Sequence, residues 1–416
     1  MSISLAVLII LYIIILLCNK KMKRFFDAFF FVITPYVFII IINNIFMSIW
    51  GFNKISDRTI WVHILCMCVF YLGSIFGQSL SKRIRIKPLI KPISIKDISY
   101  NRLFYLGIIC VIFVSIGKSL LIRQYGFTSF LKAGDTLKMP SLFNHVELLL
   151  YPINILLFEQ YLKTKKKRLL VIILTSCILI FSSFVKYHII SLFLCTFIYI
   201  TIKYKKYIAK IGIITLLIIV LAFAGNYMIN FSANNLTASS KFYINHLWMY
   251  IAGGTINIDE GLKYAESALS KTSIIAWLWQ MITSFPSMFT NKLLGFRISN
   301  YAFSTTLPKF SIGISSSNVI SIIGSAFIQG SYLSFLVFSF FWGWIVQAIY
   351  ASIKKRGEES IGLMLAGCIF LAYNMLSFFS SFFVLSNPWE TMFLAWILPK
   401  LLVSIKVTRN QPIKSF

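Results

Sequence analysis

The stretch ISLAVLIILYIIILLCNKKMKR, residues 3–24, decides the fold class. From Ile3 to Cys18 it carries no charge, and it then closes on Lys20, Lys21, Lys23 and Arg24. A bilayer core about 30 Å thick needs roughly 20 apolar residues per helix, and a helix satisfies its backbone polar groups internally. A secretory signal carries its positive charges before the apolar run. Here they follow it, so the segment reads as a retained anchor whose N-terminus lies outside the membrane.

The same unit, an apolar run with basic punctuation, recurs along the chain. Runs stand near Ile3–Cys18, Ala28–Ile49, Ile60–Leu80, Leu103–Ile122, Phe143–Leu162, Leu169–Phe184, Ile189–Ile202, Ile211–Tyr227, Tyr332–Ile353, Ile361–Phe383 and Trp389–Ile405. The expected fold is therefore all-α, a polytopic integral membrane protein with about 11 transmembrane helices and one large extracytoplasmic loop. The composition agrees: 58% hydrophobic against 12% charged, with a mean hydropathy of +0.82, exceeds what a soluble core absorbs. The runs are continuous rather than alternating, which excludes a β-barrel.

Lysine and arginine give an independent reading of topology. Lys20 to Arg24, Lys82 to Arg102, Lys163 to Arg168, Lys203 to Lys210, Lys354 to Arg356 and the tail from Lys400 fall in alternate connections. About 27 of the 40 basic residues lie there, which makes that side cytoplasmic. The domain organisation that follows is helices 1–8 over residues 1–227, a large outer loop over 228–319, and helices 9–11 with a short cytoplasmic tail over 320–416.

The net charge of +28 belongs mostly to these juxtamembrane clusters. Their work is topology and contact with anionic membrane lipid, and with no basic–aromatic motif on a soluble module, nucleic acid is not an expected partner. The seven cysteines all fall in apolar runs and read as small buried hydrophobes rather than a disulfide framework.

The outer loop is far longer than any other connection and rich in aromatic residues, among them Trp248, Tyr250, Trp277, Trp279 and Phe310. Disordered segments are poor in such residues, so the loop should fold. Helices are predicted at Lys241–Ile251, Asp259–Leu269 and Ile274–Phe289. Gly253-Gly254 reads as the turn between the first two, Asp259-Glu260 favours the start of the second, and Pro286 and Pro308 mark breaks. The segment Asn318–Gly330 is a candidate to re-enter the membrane.

The chain has no nucleotide-binding glycine loop, no His-Glu-x-x-His and no Asp-rich metal motif. No metal and no cofactor are expected. What the outer side does hold is basic and aromatic: Arg123, Lys132, Lys138, Lys186, Lys241, His246, Lys292, Arg297 and Lys309. Such a set suits an anionic, lipid-linked ligand, because Arg forks bind a pyrophosphate bidentately and aromatic faces stack on sugar rings. The plainer alternative for Arg123 is an interfacial anchor, for Arg297 a surface ion pair, and for His246 a packed side chain. Glu147, a carboxylate inside an apolar helix, is a functional candidate by its cost alone, or else it pairs with a nearby basic group.

Three stretches carry a resemblance to a known family: Tyr250-Ile251-Ala252-Gly253-Gly254; Gly324 through Gly330-Ser331-Tyr332 into Phe340-Phe341-Trp342-Gly343-Trp344; and Ser182-Ser183-Phe184-Val185-Lys186. Together with Arg123 and Gly134, they make the chain resemble the bacterial O-antigen or oligosaccharide repeat-unit polymerases of the Wzy type. It departs from them in placing Lys186 where relatives often have Arg. The resemblance implies a metal-independent membrane glycosyltransferase of the bacterial inner membrane. It would move a growing glycan from undecaprenyl pyrophosphate onto an incoming undecaprenyl-pyrophosphate-linked oligosaccharide, with a chain-length regulator as a further partner. It further implies that Arg123, Arg297, Lys186 and Lys241 hold the lipid pyrophosphate, that Arg297 also acts on the leaving group, and that His246 serves as base. A ligase that transfers finished polymer to lipid A shares this membrane plan. A lipid-glycan flippase or transporter, which would carry paired halves and charges within several spans, and a structural or sensory membrane protein are the readings from other classes.

Overall fold

The computed structural model describes residues 2–83, 92–133, 137, 139–183, 186–204, 212–218, 220–221, 224–225, 228, 240–267, 274–295, 309–313 and 316–403. Among the described residues the fold is all-α apart from one short hairpin. In order the helices are α1 (Ile3–Lys21), α2 (Ala28–Ile42, continued by a π turn over Asn43–Met47), α3 (Asp57–Arg83), α4 (Tyr100–Tyr125), α5 (Phe127–Ala133), α6 (Ser141–Thr164), α7 (Lys167–Phe181) and α8 (Lys186–Lys203). After these come α9 (Ser240–Ile256), α10 (Ile258–Ser267), α11 (Ile274–Leu294), α12 (Ile322–Gln329), α13 (Tyr332–Arg356), α14 (Ile361–Met375) and α15 (Ser386–Leu402). Strands β1 (Phe310–Ser311) and β2 (Ser316–Ser317) pair antiparallel ahead of α12. Helix starts are written locally: Ser2, Asp27, Ser99, Ser321 and Ser331 each accept an amide proton from the first turn that follows.

Among the described residues, seven helices are long and apolar enough to cross a membrane: α1, α2 with its π turn, α3, α4, α6, α13 and α14 with its 3₁₀ continuation. The chain has the helices of a multi-pass membrane protein. The expected span count of about 11 is larger for a physical reason. The expected runs Leu169–Phe184 and Trp389–Ile405 form α7 and α15, which have only 15 and 17 residues. At 1.5 Å per residue, these reach about 22–26 Å. Of the 17 residues of the expected span Ile211–Tyr227, the 11 that are described (212–218, 220–221 and 224–225) are all helical, but they do not form one continuous described helix. Apolar stripes face outward at helical spacing, as with Tyr105, Ile109, Ile112 and Ile116 on α4 and Val171, Leu174 and Ile178 on α7. Patches of this kind have no place in water but suit lipid.

The tightest contact in the body is between α3 and α13, and glycine makes it. A Cβ at Gly73 would stand 2.0 Å from the carbonyl oxygen of Phe340, one at Gly77 2.4 Å from that of Trp344, and one at Gly343 2.1 Å from that of Phe70. In lipid, helices associate by close backbone approach rather than by hiding from water, so small residues mark the interface.

Hydrogen bonds sort the connections into two ends. At one, Ala28 N–H donates to Gln347, Gln347 to Gln78, Ser94 to the Glu358 carbonyl, and Arg102 to the Val403 carbonyl. This end gathers Lys20 to Arg24, Arg102, Lys163 to Arg168 and Lys354 to Arg356, and is the basic end. At the other, the loop end, Trp248 of α9 donates to Asn43 in the π turn at 2.9 Å, and Thr59 of α3 donates to Asp259 at 2.8 Å. Asn53 donates to the Ser311 carbonyl of the hairpin at 3.2 Å.

Two local expectations are corrected. Gly253-Gly254 is not a turn but lies inside α9, and the chain turns at Asn257. The glycines are there for approach: a Cβ at 253 would stand 2.6 Å from Ser317 Oγ, and one at 254 would stand 2.5 Å from the Phe378 carbonyl oxygen. Pro286 does not break a helix either, because α11 runs through it. Asp259 and Glu260 do occupy the first turn of α10. Segment 322–329 forms α12, buried within the protein.

Candidate functional site

A cavity of about 330 Å³ opens at the loop end, lined by His246, Met249 and Tyr250 of α9, Lys309, Ser316 to Val319 of the hairpin, and Phe379. Its walls are set by the double glycine. Gly253 lets α9 close on Ser317 and Gly254 lets it close on the carbonyls of Phe378 and Phe379, so both flanks of the cavity are held against one helix. Asn257, one residue past α9, donates to the carbonyls of Ser317 and Val319, both at 2.9 Å, which pins the floor. His246 stacks on Phe242 with ring centroids 4.1 Å apart. Lys309 is exposed at the mouth.

From this cavity an aromatic path runs into the helices. Tyr250 stacks on Phe379 (5.7 Å), Phe379 on Phe382 (6.0 Å), Phe382 meets Tyr187 (5.0 Å), and Tyr187 meets His188 edge-on (4.4 Å). The His188 ring nitrogens are buried with no hydrogen-bond partner among the described residues, while its carbonyl accepts from Tyr151. On neighbouring helices at this same end, Lys118 of α4 and Glu147 of α6 pair at 3.4 Å, both nearly inaccessible. Ser183, just past α7, donates to Glu147 at 2.5 Å and is itself hydrogen-bonded by Lys118. A buried ion pair inside apolar helices costs several kcal/mol to desolvate, so its presence marks a feature kept for more than stability.

Of the residues expected to act, His246 lines the cavity together with Lys309, both from the basic set read off the sequence. Arg123 lies in the last turn of α4, exposed, and is not part of the cavity lining. Lys186 begins α8 and Lys241 lies in the first turn of α9, but the described residues do not include their side chains. Arg297 lies outside the described residues. Glu147 pairs with a basic group, as its cost required. That partner, Lys118, was missed: the signal was a lysine inside the apolar run Leu103–Ile122, one buried charge calling for another. His188, which the sequence places with Lys186 at a tight outer turn as a joint candidate, stands at the inner end of the aromatic path.

Compared with protein-family models, curated proteins and solved structures, the chain matches none. The site is therefore read from its own chemistry. It offers a cation and an imidazole at the mouth, aromatic faces along one wall and a buried charge cluster beyond, all at the end of the molecule away from the basic clusters.

Proposed function

We propose that this protein is a membrane glycosyltransferase that polymerises undecaprenyl-pyrophosphate-linked oligosaccharide repeat units into a surface polysaccharide. The observation that carries this reading is the cavity between α9 and the hairpin, which Lys309 and His246 line together with the aromatic residues Tyr250 and Phe379. A cation suits a pyrophosphate, ring faces suit sugars, an imidazole suits proton transfer from an acceptor hydroxyl, and the apolar stripes on α4 and α7 suit the lipid tail. In this reading the loop end faces outward, the basic end faces the cytoplasm, the membrane is the bacterial inner membrane, and shorter helices such as α7, α8 and α15 complete a set of about 11 spans. Arg123 and Arg297 supply further positive charge near the membrane surface. The attacking hydroxyl forms the new glycosidic bond, and the lipid pyrophosphate leaves with the electron pair of the old one.

The test is a strain lacking the gene, complemented with wild type, His246→Ala, Lys309→Ala or Arg123→Ala, with its surface glycan run on a gel. The expected result is a ladder with wild type and a single attached repeat unit without it, with the cavity variants expressed but failing to restore the ladder. Loss of all attached glycan points to a ligase or flippase, and an unchanged ladder contradicts the glycan reading. The buried Lys118–Glu147 pair favours a second reading, a lipid-glycan transporter, since charges within spans mark transport paths. In that case lipid-linked units accumulate on the cytoplasmic face of the deletion strain.

A further inference from the structure

We propose that Ser141, His145 and Glu390 form a nucleophile, base and orienting carboxylate that attack a carboxylic ester at the membrane surface. Ser141 is the first residue of α6 and is exposed. Its Oγ lies 3.0 Å from Nε2 of His145, one turn further along the same helix. The other ring nitrogen of His145, Nδ1, is hydrogen-bonded to Oε1 of Glu390. Glu390 comes from α15, 245 positions away in sequence, and is only 6% exposed. With Nδ1 held by the Glu390 carboxyl group, Nε2 is the ring nitrogen left to face the serine hydroxyl. Accessible nucleophile, half-exposed imidazole and buried carboxylate thus stand in order from solvent inward. This is the arrangement by which a serine is activated on unrelated folds.

The start of α6 supplies what an acyl-transfer site needs besides. Pro140, which precedes α6, makes no side-chain cap, and its carbonyl accepts the Phe143 amide at 3.0 Å, so Ser141 stands at the positive end of the helix. The positive end of α6 favours the negative charge that develops on an oxyanion next to Ser141. Leu142 beside Ser141 is exposed, so an ester arrives over apolar surface. In the step, Ser141 Oγ bonds to the ester carbonyl carbon while its proton passes to His145 Nε2, and Glu390 stays ionised against the imidazolium. The carbon–oxygen bond to the alcohol then breaks, and the departing alkoxide takes the proton from His145. Water repeats the sequence in reverse order to free the acid and restore the serine. The ester is either an acyl group on a glycan or that of a glycerolipid, and the inference stands apart from the glycosyl-transfer reading.

The test is to treat the full-length protein in detergent with a fluorophosphonate and find the modified peptide by mass spectrometry. The expected result is labelling at Ser141, absent in Ser141→Ala and slowed about a hundredfold or more in His145→Asn. Glu390→Gln is expected to slow it similarly, with partial recovery in Glu390→Asp, a rescue that a purely structural role would not produce. No labelling of folded wild-type protein overturns the proposal, and so does labelling that His145→Asn leaves unchanged. Acetate released from an O-acetylated oligosaccharide identifies the glycan as the ester source, and fatty acid released from phosphatidylglycerol vesicles identifies the lipid. Hydrolysis of neither leaves Ser141 without a substrate and overturns the proposal.

Discussion

One helix, α6, carries two buried carboxylates whose surroundings differ. Glu159, near the basic end, is 1% exposed and over-supplied with partners. Lys163 reaches it at 2.9 Å and Tyr204 at 3.2 Å, and Lys203 and Tyr199 are also bound to it. Glu147, about three turns earlier and 5% exposed, has among the described residues one cation, Lys118, and one hydroxyl, Ser183. Beside that second cluster sits His188, whose buried ring nitrogens have no hydrogen-bond partner among the described residues. The difference teaches where to look for function. A charge tied by four side chains at the membrane margin is a fastener between α6, α8 and the residue that follows, whereas a charge with fewer partners at the end of an aromatic path is where a functional role is to be tested.

The largest effect should come from Glu159→Gln, which strands Lys203 in a site where it is mostly buried. Removing one partner of a buried pair costs about 3–5 kcal/mol, so the Tm of the protein in detergent should fall sharply, with product per folded molecule unchanged. A variant that melts with the wild type would break the comparison. Asp27, also near the basic end, supplies a pH-dependent counterpart. Burial pushes its carboxyl from 3.8 up to about 6, against the pull of Arg24 at 3.2 Å. Because the folded value is the higher one, its contribution to stability is whole below pH 3.8 and is lost as pH rises through about 6. A shift of this size is worth up to about 3 kcal/mol, and Asp27→Asn, which keeps the helix cap, should flatten Tm against pH across that window.

At the other carboxylate, Glu147→Gln should cost less stability, about 1–3 kcal/mol, because it takes the carboxylate from one lysine where Glu159→Gln takes it from two. The glycan ladder should nevertheless be lost while the protein remains folded, as judged by size-exclusion chromatography. The smallest thermal effect belongs to the double variant Lys118→Met/Glu147→Leu. Replacing both members of a buried pair by apolar groups is often neutral, so its stability should stay within about 1 kcal/mol of wild type while activity stays absent. Restored activity in the double variant would return Glu147 to the same class as Glu159.

Much of the architecture was legible in the sequence because lipid imposes a simple rule: long apolar runs such as Tyr100–Tyr125 and Tyr332–Arg356 have no other stable form. The helices of the loop were legible from their aromatic spacing, and α9, α10 and α11 formed where expected. What was not legible depended on contacts between distant segments. Gly253-Gly254 read as a turn because a glycine pair usually is one, and only the approach of Ser317 and Phe378 explains it inside a helix. Lys118 was hidden within an apolar run, and the Glu390 partner of His145 lies on a helix at the far end of the chain. His246 was visible as an outer imidazole, but the cavity around it exists only once the hairpin folds over α9.

The most direct measurement is reconstitution: the purified full-length protein in vesicles, supplied with undecaprenyl-pyrophosphate-linked repeat units and no added metal, with products separated by size. The account predicts a ladder of lengthened glycans and released undecaprenyl pyrophosphate, both lost with Lys309→Ala/His246→Ala in protein that remains folded. Units that stay single with the wild type, while the same preparation moves them across the bilayer, would contradict it.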